Sequence, residues 1–297
     1  MNNFDDILNS TPEQEQNGNQ QFSKEEYAAK KRAERDGLFV LSNDTASDVA
    51  NDGDKFREYM DVQGRFDRYS AVNTLLILAQ KPEATRVGDF ENWKKKNASV
   101  KTGETGISIL EPHEYPKEDG SLGVGYNVKK VFDISQVHTQ RMKADPVPPT
   151  YNNRQLLAAL VHNPPVTITP VEVLAGGAGA QTDPGTGEIK VRKGMEFADA
   201  FRSVAKELAA SQLTPSQEAR FDTEFASYCV SYLLCKKHGV DTKTFDFQDA
   251  PNELKHLETK EIKAIFQAIR DTFADISGKM NKQLEVLQKP ARNVEAR

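Results

Sequence analysis

Residues 107–134 read ISILEPHEYPKEDGSLGVGYNVKKVFDI, and this stretch decides the fold class that the sequence predicts. Its apolar and β-branched runs predict strands over Ile107–Leu110 and Tyr126–Ile134. The connection passes through Lys117–Gly120, which ends in an Asp-Gly pair typical of a tight turn. A short helix is predicted just before the strands, over Phe90–Lys96. Strands beside helices indicate an α+β unit.

Helices are predicted on the N-terminal side of these strands. A charged helix is expected over Ser23–Arg35, ending near Gly37, with Ser23 as N-cap. Two further helical patterns cover Ser47–Gln63 and Ser70–Ala79. Residues 1–22 are rich in Asn and Gln with few apolar side chains, so we expect this tail to be disordered.

A proline-rich segment, Ala144–Pro149, predicts a stiff linker and therefore a domain boundary. The expected division is a tail (1–22), a first domain (23–145) and a second domain (150–290), each burying its own core. The second domain is predicted to be mostly helical with a small sheet. Its predicted helices are 153–162, 197–213, 216–238 and 258–287, and its predicted strands are 166–171 and 189–192. The apolar stripe of the last helix favours packing within its own domain over self-association.

Charge and composition restrict the class of protein. The net charge of −5 arises in the N-terminal segment, since residues 1–53 carry 5 basic and 11 acidic side chains whereas residues 54–145 carry 15 and 14. A modest basic face is therefore possible in the middle segment. No apolar run is long enough to span a bilayer, and we expect a cytoplasmic protein. Cys229 and Cys235 are predicted to be small core residues rather than a disulfide.

Several short blocks between Tyr69 and Gln136 carry the chemistry. They are Y-S-x-x-N from Tyr69, Q-x-P-E-A-T from Gln80, the lone Trp93 before three lysines, V-K-x-G-E-x-G-I from Val100 and V-F-D-x-S-Q from Val131. An aromatic face beside ammonium groups can stack bases and hold the phosphates of a single strand. From the residues alone, a buried Trp93 beside a solvated lysine face explains the same pattern.

This order of blocks, over residues 54–142, resembles the N-terminal domain of ArdC-type antirestriction proteins of plasmids and other mobile elements. The resemblance implies an α+β domain that binds single-stranded DNA and protects incoming DNA from restriction. The candidate nucleic-acid-binding residues are Tyr69, Ser70, Asn73, Trp93, Lys94, Lys95, Lys96, Lys101 and Phe132. Asn73 and Phe132 are equally compatible with a structural role.

The second half resembles the zincin-like metallopeptidase domain of the same family, in which a helix carries His-Glu-x-x-His for zinc. At the matching place this chain reads Lys206-Glu207-Leu208-Ala209-Ala210. Glu224 is the nearest candidate for the third ligand, with Tyr228 as the alternative alignment. With both imidazoles replaced, we expect no catalytic residue, no metal and no cofactor here. Glu207 is then expected to pair with Lys206 or Arg202.

The leading hypothesis from the sequence is a non-enzymatic single-stranded-DNA-binding protein of a mobile element, with single-stranded DNA and a host or element protein as partners. A different class also fits: an interaction protein that uses the degenerate peptidase groove and binds no DNA. A hydrolase with an unexpected metal site is the third possibility. The acidic tail of residues 1–22 could in addition screen the basic face.

Overall fold

The hairpin predicted from residues 107–134 is present and is longer than expected. In a computed structural model, which describes residues 24–142, 144, 149–215 and 221–288, its strands β3 (Ile107–Pro116) and β4 (Leu122–Asp133) pair antiparallel along their whole length. The half nearest the turn is exposed and stands away from the body as a two-stranded ribbon. Burial is confined to the other half, which packs on helices.

The other elements of the first half surround the inner end of this hairpin. A short strand, β1, pairs with the end of β4, and β2 pairs with β5. The elements are α1 (Lys24–Ala50), α2 (Gly53–Arg65), α3 (Ala71–Gln80), β1 (Val87–Gly88), α4 (Phe90–Lys95), β2 (Ser99–Val100) and β5 (Val137–His138).

The second half is mostly helical with one small sheet, as expected. That sheet has the order β6-β8-β7, with β6 parallel and β7 antiparallel to β8. The elements are α5 (Asn153–Leu160), β6 (Ile168–Val171), β7 (Ala180–Thr182), β8 (Ile189–Arg192), α6 (Phe197–Gln212), α7 (Thr223–His238), α8 (Ala250–Leu254) and α9 (Thr259–Gln288). No helix among the described residues is long and apolar enough to cross a membrane.

Two helix boundaries in the first half were predicted wrongly. Helix α1 does not end at Gly37 but runs on to Ala50, because Leu38 beyond the glycine packs with Leu76 and Leu110. That burial outweighs the ~1 kcal/mol penalty of a helical glycine. The pattern predicted as one helix over Ser47–Gln63 is split, since Asp52 caps a new helix by accepting bonds from the backbone N–H groups of Asp54 and Lys55. The predicted tail and Ser23 lie outside the described residues.

We expected each half to bury its own core, yet one buried cluster runs through both halves. Phe56 and Tyr59 of α2 pack on Phe266 of α9, whose ring stacks on Tyr59 with centroids 4.5 Å apart. Gly53 has no room for a side chain, since a Cβ there would lie 2.6 Å from the carbonyl oxygen of Phe247. The domain boundaries near residue 145 stay a prediction, and most of the proline-rich linker lies outside the described residues.

The cysteines follow the sequence prediction, whereas the apolar stripe of α9 packs partly on α2 of the first half and not only within its own domain. Cys229 and Cys235 are free and buried in α7. The stripe of α9 is buried within the same chain, including Ile262, Phe273 and Leu284.

Two amide side chains of α3 fix the hairpin to the helices. Asn73 donates from Nδ2 to the carbonyl oxygen of Leu110 (2.8 Å) and accepts at Oδ1 from its N–H (2.8 Å). Gln80 makes the same pair of bonds with Ser108, at 2.9 Å each. Each amide thus takes the place of a neighbouring strand on the outer side of β3. The buried backbone groups of Leu110 and Ser108 are satisfied in this way.

Replacement of Asn73 by alanine should lower the free energy of unfolding by about 2–4 kcal/mol, because it leaves the buried N–H and C=O of Leu110 without partners. Chemical denaturation measures this loss. The matched control is Asn153→Ala, which removes an exposed amide that makes no side-chain hydrogen bond within the described part of the chain. Equal stability of both variants would show that the amide pairing does not hold the hairpin.

Candidate nucleic-acid interface

A groove of about 650 Å³ lies where the root of the hairpin meets α1, α3 and α9. Its walls combine cationic, aromatic and small polar side chains, and none of the described residues that line it is a carboxylate. The lining residues are Phe39, Arg68, Tyr69, Ser70, Val72, Asn73, Leu110, Pro112, Tyr126, Lys260, Lys263, Ala264, Gln267 and Arg270.

The floor of the groove is the turn between α2 and α3, which α9 holds in place. Arg270 donates from Nε to the carbonyl oxygen of Tyr69 (3.1 Å) and from a terminal nitrogen to that of Asp67 (3.0 Å). Gln267 accepts a bond from the N–H of Ala71 at 3.0 Å, and Ser70 caps α3. These bonds orient the turn so that Tyr69 faces the groove.

The four cationic groups of the groove are not equivalent. Arg270 is occupied by the turn and by Asp271. Lys263 is half-buried and donates to Oδ1 of Asn43 at 2.5 Å, and burial lowers the pKa of its ammonium group. Arg68 and Lys260 are exposed, and neither has a side-chain partner among the described residues. Their charges are therefore available to an anionic ligand.

Three aromatic side chains face the same space. Tyr126 is 38% exposed and meets Phe39 edge-on, with ring centroids 5.7 Å apart and an interplanar angle of 85°. Tyr69 is half-buried, and this burial raises the pKa of its hydroxyl, which keeps the ring neutral at pH 7. Aromatic faces beside free cations are the elements that sequence-tolerant single-strand binding requires.

The structure brings only part of the predicted set to this groove. Tyr69, Ser70 and Asn73 line it. Asn73, however, uses both its amide nitrogen and its oxygen to hold Leu110, and Ser70 caps α3. Of these three residues, Tyr69 is the one with a ring face for a ligand.

Trp93 does not offer the stacking surface that the sequence suggested. Its side chain is 2% exposed, and Nε1 donates to the carbonyl oxygen of Phe132 at 2.9 Å. The guanidinium group of Arg86 covers the ring at 5.5 Å, and Gly88 lies against it. Phe132 is buried in the same small cluster. Trp93 and Phe132 therefore contribute to the fold, which agrees with the second interpretation of the sequence pattern, a buried Trp93.

The four predicted lysines lie apart from the groove lining. Lys94 and Lys95 are exposed on α4, and Lys96 is half-buried at its end. Lys101 donates to the carbonyl oxygen of Ser135 at 2.7 Å and so ties down the loop before β3. Lys94 and Lys95 remain candidates for a contact with nucleic acid outside the groove.

Sequence reasoning missed most of the groove. Phe39 and Tyr126 are far apart in the chain, and only the fold places them in contact. Helix α9 did carry a usable signal, since Lys260, Lys263, Gln267 and Arg270 recur at intervals of 3, 4 and 3 residues and therefore share one helical face. The sequence prediction for that helix rested on its apolar stripe and left out its basic stripe.

The place that matches the zincin motif holds an ion pair. Lys206 of α6 pairs with Glu224 of α7, so the first and third positions of the family's ligand set do meet in space. Glu207 does not pair with Lys206 or Arg202, as had been expected. It accepts bonds from the N–H (2.9 Å) and the hydroxyl (2.6 Å) of Thr182, because the edge of the small sheet lies over α6. Arg202 pairs with Asp199 instead.

These residues do not fit a metal ion. An ammonium group occupies the space beside Glu224, and Ala210 offers only a methyl group. Within the described ranges no three His, Cys, Asp or Glu side chains are grouped as metal ligands would be. His238, the histidine in α7, is largely buried, which lowers its pKa to about 4 and leaves it neutral at pH 7.

Comparison with known proteins finds a family match within the first half of the chain. Residues 47–133 match the family model of the N-terminal domain of anti-restriction factor ArdC, which confirms the resemblance predicted from the sequence over those residues. This match begins within α1 and ends with β4, so the α9 wall of the groove lies outside it. No curated protein sequence matches the chain.

Two solved structures are also similar to the chain. They are crystal structures of the antirestriction protein ArdC from plasmid R388, one metal-free and one with Mn(II) bound. Each has 14% sequence identity and a TM-score of 0.46, and the alignments cover 74% of this chain and 87% and 86% of theirs.

Replacement of Trp93 by phenylalanine should destabilise the protein without weakening any binding of single-stranded DNA. The variant leaves the carbonyl oxygen of Phe132 without its donor, which should cost about 1–3 kcal/mol of unfolding free energy. Denaturation and a binding titration of the same preparations separate the two effects. A large loss of affinity in a variant of normal stability would restore Trp93 to the site.

Proposed function

We propose that the protein binds single-stranded DNA in the groove between the hairpin root and α9, as part of an antirestriction-related role. One observation carries this proposal: among the described residues, the groove is lined by four cationic and three aromatic side chains and by no acidic one. The match of residues 47–133 to the ArdC N-terminal domain supports the antirestriction-related role.

The arrangement suits a single strand better than a duplex. Tyr126 and Tyr69 present ring faces on which unpaired bases can stack, with Phe39 behind Tyr126. Bases in a duplex are already stacked and paired, so they cannot enter without a cost in pairing energy. Because every base has a π-face, this contact tolerates any sequence.

Arg68 and Lys260 bind phosphate in this proposal, because their side chains have no partner in the described part of the chain. They stand on different walls, in the turn before α3 and at the start of α9. A backbone that crosses the groove can therefore meet both. Arg270 and Lys263 add positive potential while they maintain the shape of the groove.

The second half acts in this proposal as a non-catalytic partner of the first. Helix α9 supplies one wall of the groove, and Lys206 pairs with Glu224 at the place that resembles a peptidase metal site in sequence. The proposed location of such a protein is the cytoplasm.

Arg68→Ala and Lys260→Ala should each weaken binding of a labelled single-stranded oligonucleotide and reduce the salt slope of log affinity by about 0.7. Tyr126→Ala should cost about 1–3 kcal/mol through lost base stacking. Fluorescence anisotropy at several salt concentrations measures both effects, with a duplex competitor in parallel.

The matched control is Lys94→Ala with Lys95→Ala, which removes two exposed cations outside the groove. A control loss as large as that of the Arg68 and Lys260 variants would move the DNA site to α4. Absence of binding at low salt by the full chain would refute the proposal and favour the protein-binding alternative.

A further inference from the structure

The two edges of the exposed ribbon differ in how their backbone groups are satisfied. Ser108 and Leu110 point their backbone N–H and C=O groups toward α3. The backbone groups of the even-numbered residues of β3 therefore point away from β4. Farther out, the same positions are Pro112 and Pro116, which have no N–H to offer. Two amides and two prolines therefore close the β3 edge to another strand.

The outer edge of β4 has no such amide contact and no proline between Leu122 and Val128 in the described structure. In an antiparallel ladder the partners of outward-facing residues also face outward, so residues 122, 124, 126 and 128 turn their backbone groups away from β3. Strand β1 covers this edge only at Phe132 and Asp133. Across the described ranges, no strand or side chain bonds to the edge between Leu122 and Val128.

The same four residues carry apolar side chains on one face of the ribbon. Leu122 is 64% exposed, Val124 58% and Tyr126 38%. On the opposite face, the ring of Tyr115 lies over Gly123 and that of His113 over Gly125. The ribbon therefore has an open edge whose alternate side chains form a continuous apolar stripe.

We propose that this open edge of β4 pairs antiparallel with the same edge of a second copy of the chain, about a two-fold axis at Gly125. That register places Val124 opposite Tyr126 and Leu122 opposite Val128 of the other copy. The segment is self-complementary because the pairs Val124–Tyr126 and Leu122–Val128 are apolar and lie on the same face of the joined sheet, while the other face carries only Gly123, Gly125 and Asn127. The proposal does not depend on DNA binding.

Charge favours the antiparallel arrangement. The tip of the ribbon is net acidic, because its turn carries Glu118 and Asp119 beside the single cation Lys117. The root carries Lys130, whose ammonium group bonds to neutral oxygens, those of Ser108 and Gly106, among the described residues. Antiparallel pairing lays each acidic tip beside the other copy's root and keeps the two tips apart. A parallel pairing would place the like charges together.

The joined edge is short, so the dimer is expected to be weak. Seven residues from each copy bury much less than the roughly 800 Å² per partner of a standard interface. Monomer and dimer should therefore exchange, with the dimer fraction rising with protein concentration.

Sedimentation velocity of the full chain over a wide concentration range, without DNA, tests the proposal. Val124→Pro removes an outward N–H from the open edge and should abolish the dimer. Glu114→Pro is the matched control, since Glu114 lies directly opposite Val124 on the closed edge and should leave the dimer intact. Circular dichroism verifies that both variants fold.

Cysteine cross-linking supplies a second measurement that does not depend on the proline variants. Val124→Cys with Tyr126→Cys should form a disulfide-linked dimer under mild oxidation, whereas Glu114→Cys on the β3 edge, which leaves both prolines in place, should not. The native cysteines are buried and do not interfere. A chain that remains monomeric at every concentration overturns the proposal, as does a dimer that Val124→Pro leaves unchanged.

Discussion

The pairing of Asn73 and Gln80 with the outer edge of β3 is the contact on which the described architecture depends. A hairpin alone would be marginal in water, and here the inner half of one strand is completed by amide groups from a helix. This contact places the face of the hairpin that bears Leu110 and Tyr126 beside α1 and α3. The groove exists because the hairpin is held at that position.

Helix α9 imposes the second constraint, because its two sides serve different purposes. One side buries Phe266 and its apolar neighbours against α2, and the other holds the turn that contains Tyr69. The two halves of the chain therefore share both a core and a binding surface. A family match that ends at residue 133 includes only one wall of that surface.

Local signals predicted most elements but not the groove. Helix α3, helix α4 and the hairpin turn were predicted because each depends on neighbours in the sequence. The length of α1 was wrong since Leu38 is stabilised by residues distant in the chain. Trp93 shows the limit for sites: a lone tryptophan beside lysines has the same sequence pattern whether it is exposed or, as here, buried under Arg86.

The Lys206–Glu224 pair links two neighbouring helices of the second half. The Glu224 carboxylate is 68% exposed, and the less exposed ammonium group of Lys206 on α6 lies beside it. The contact joins α6 to α7 without any bound ligand. An exposed ion pair of this kind contributes little to stability, about 0–1 kcal/mol, so the shared core must hold these helices together. The α9 wall of the groove therefore depends on the packing of this shared core rather than on the ion pair.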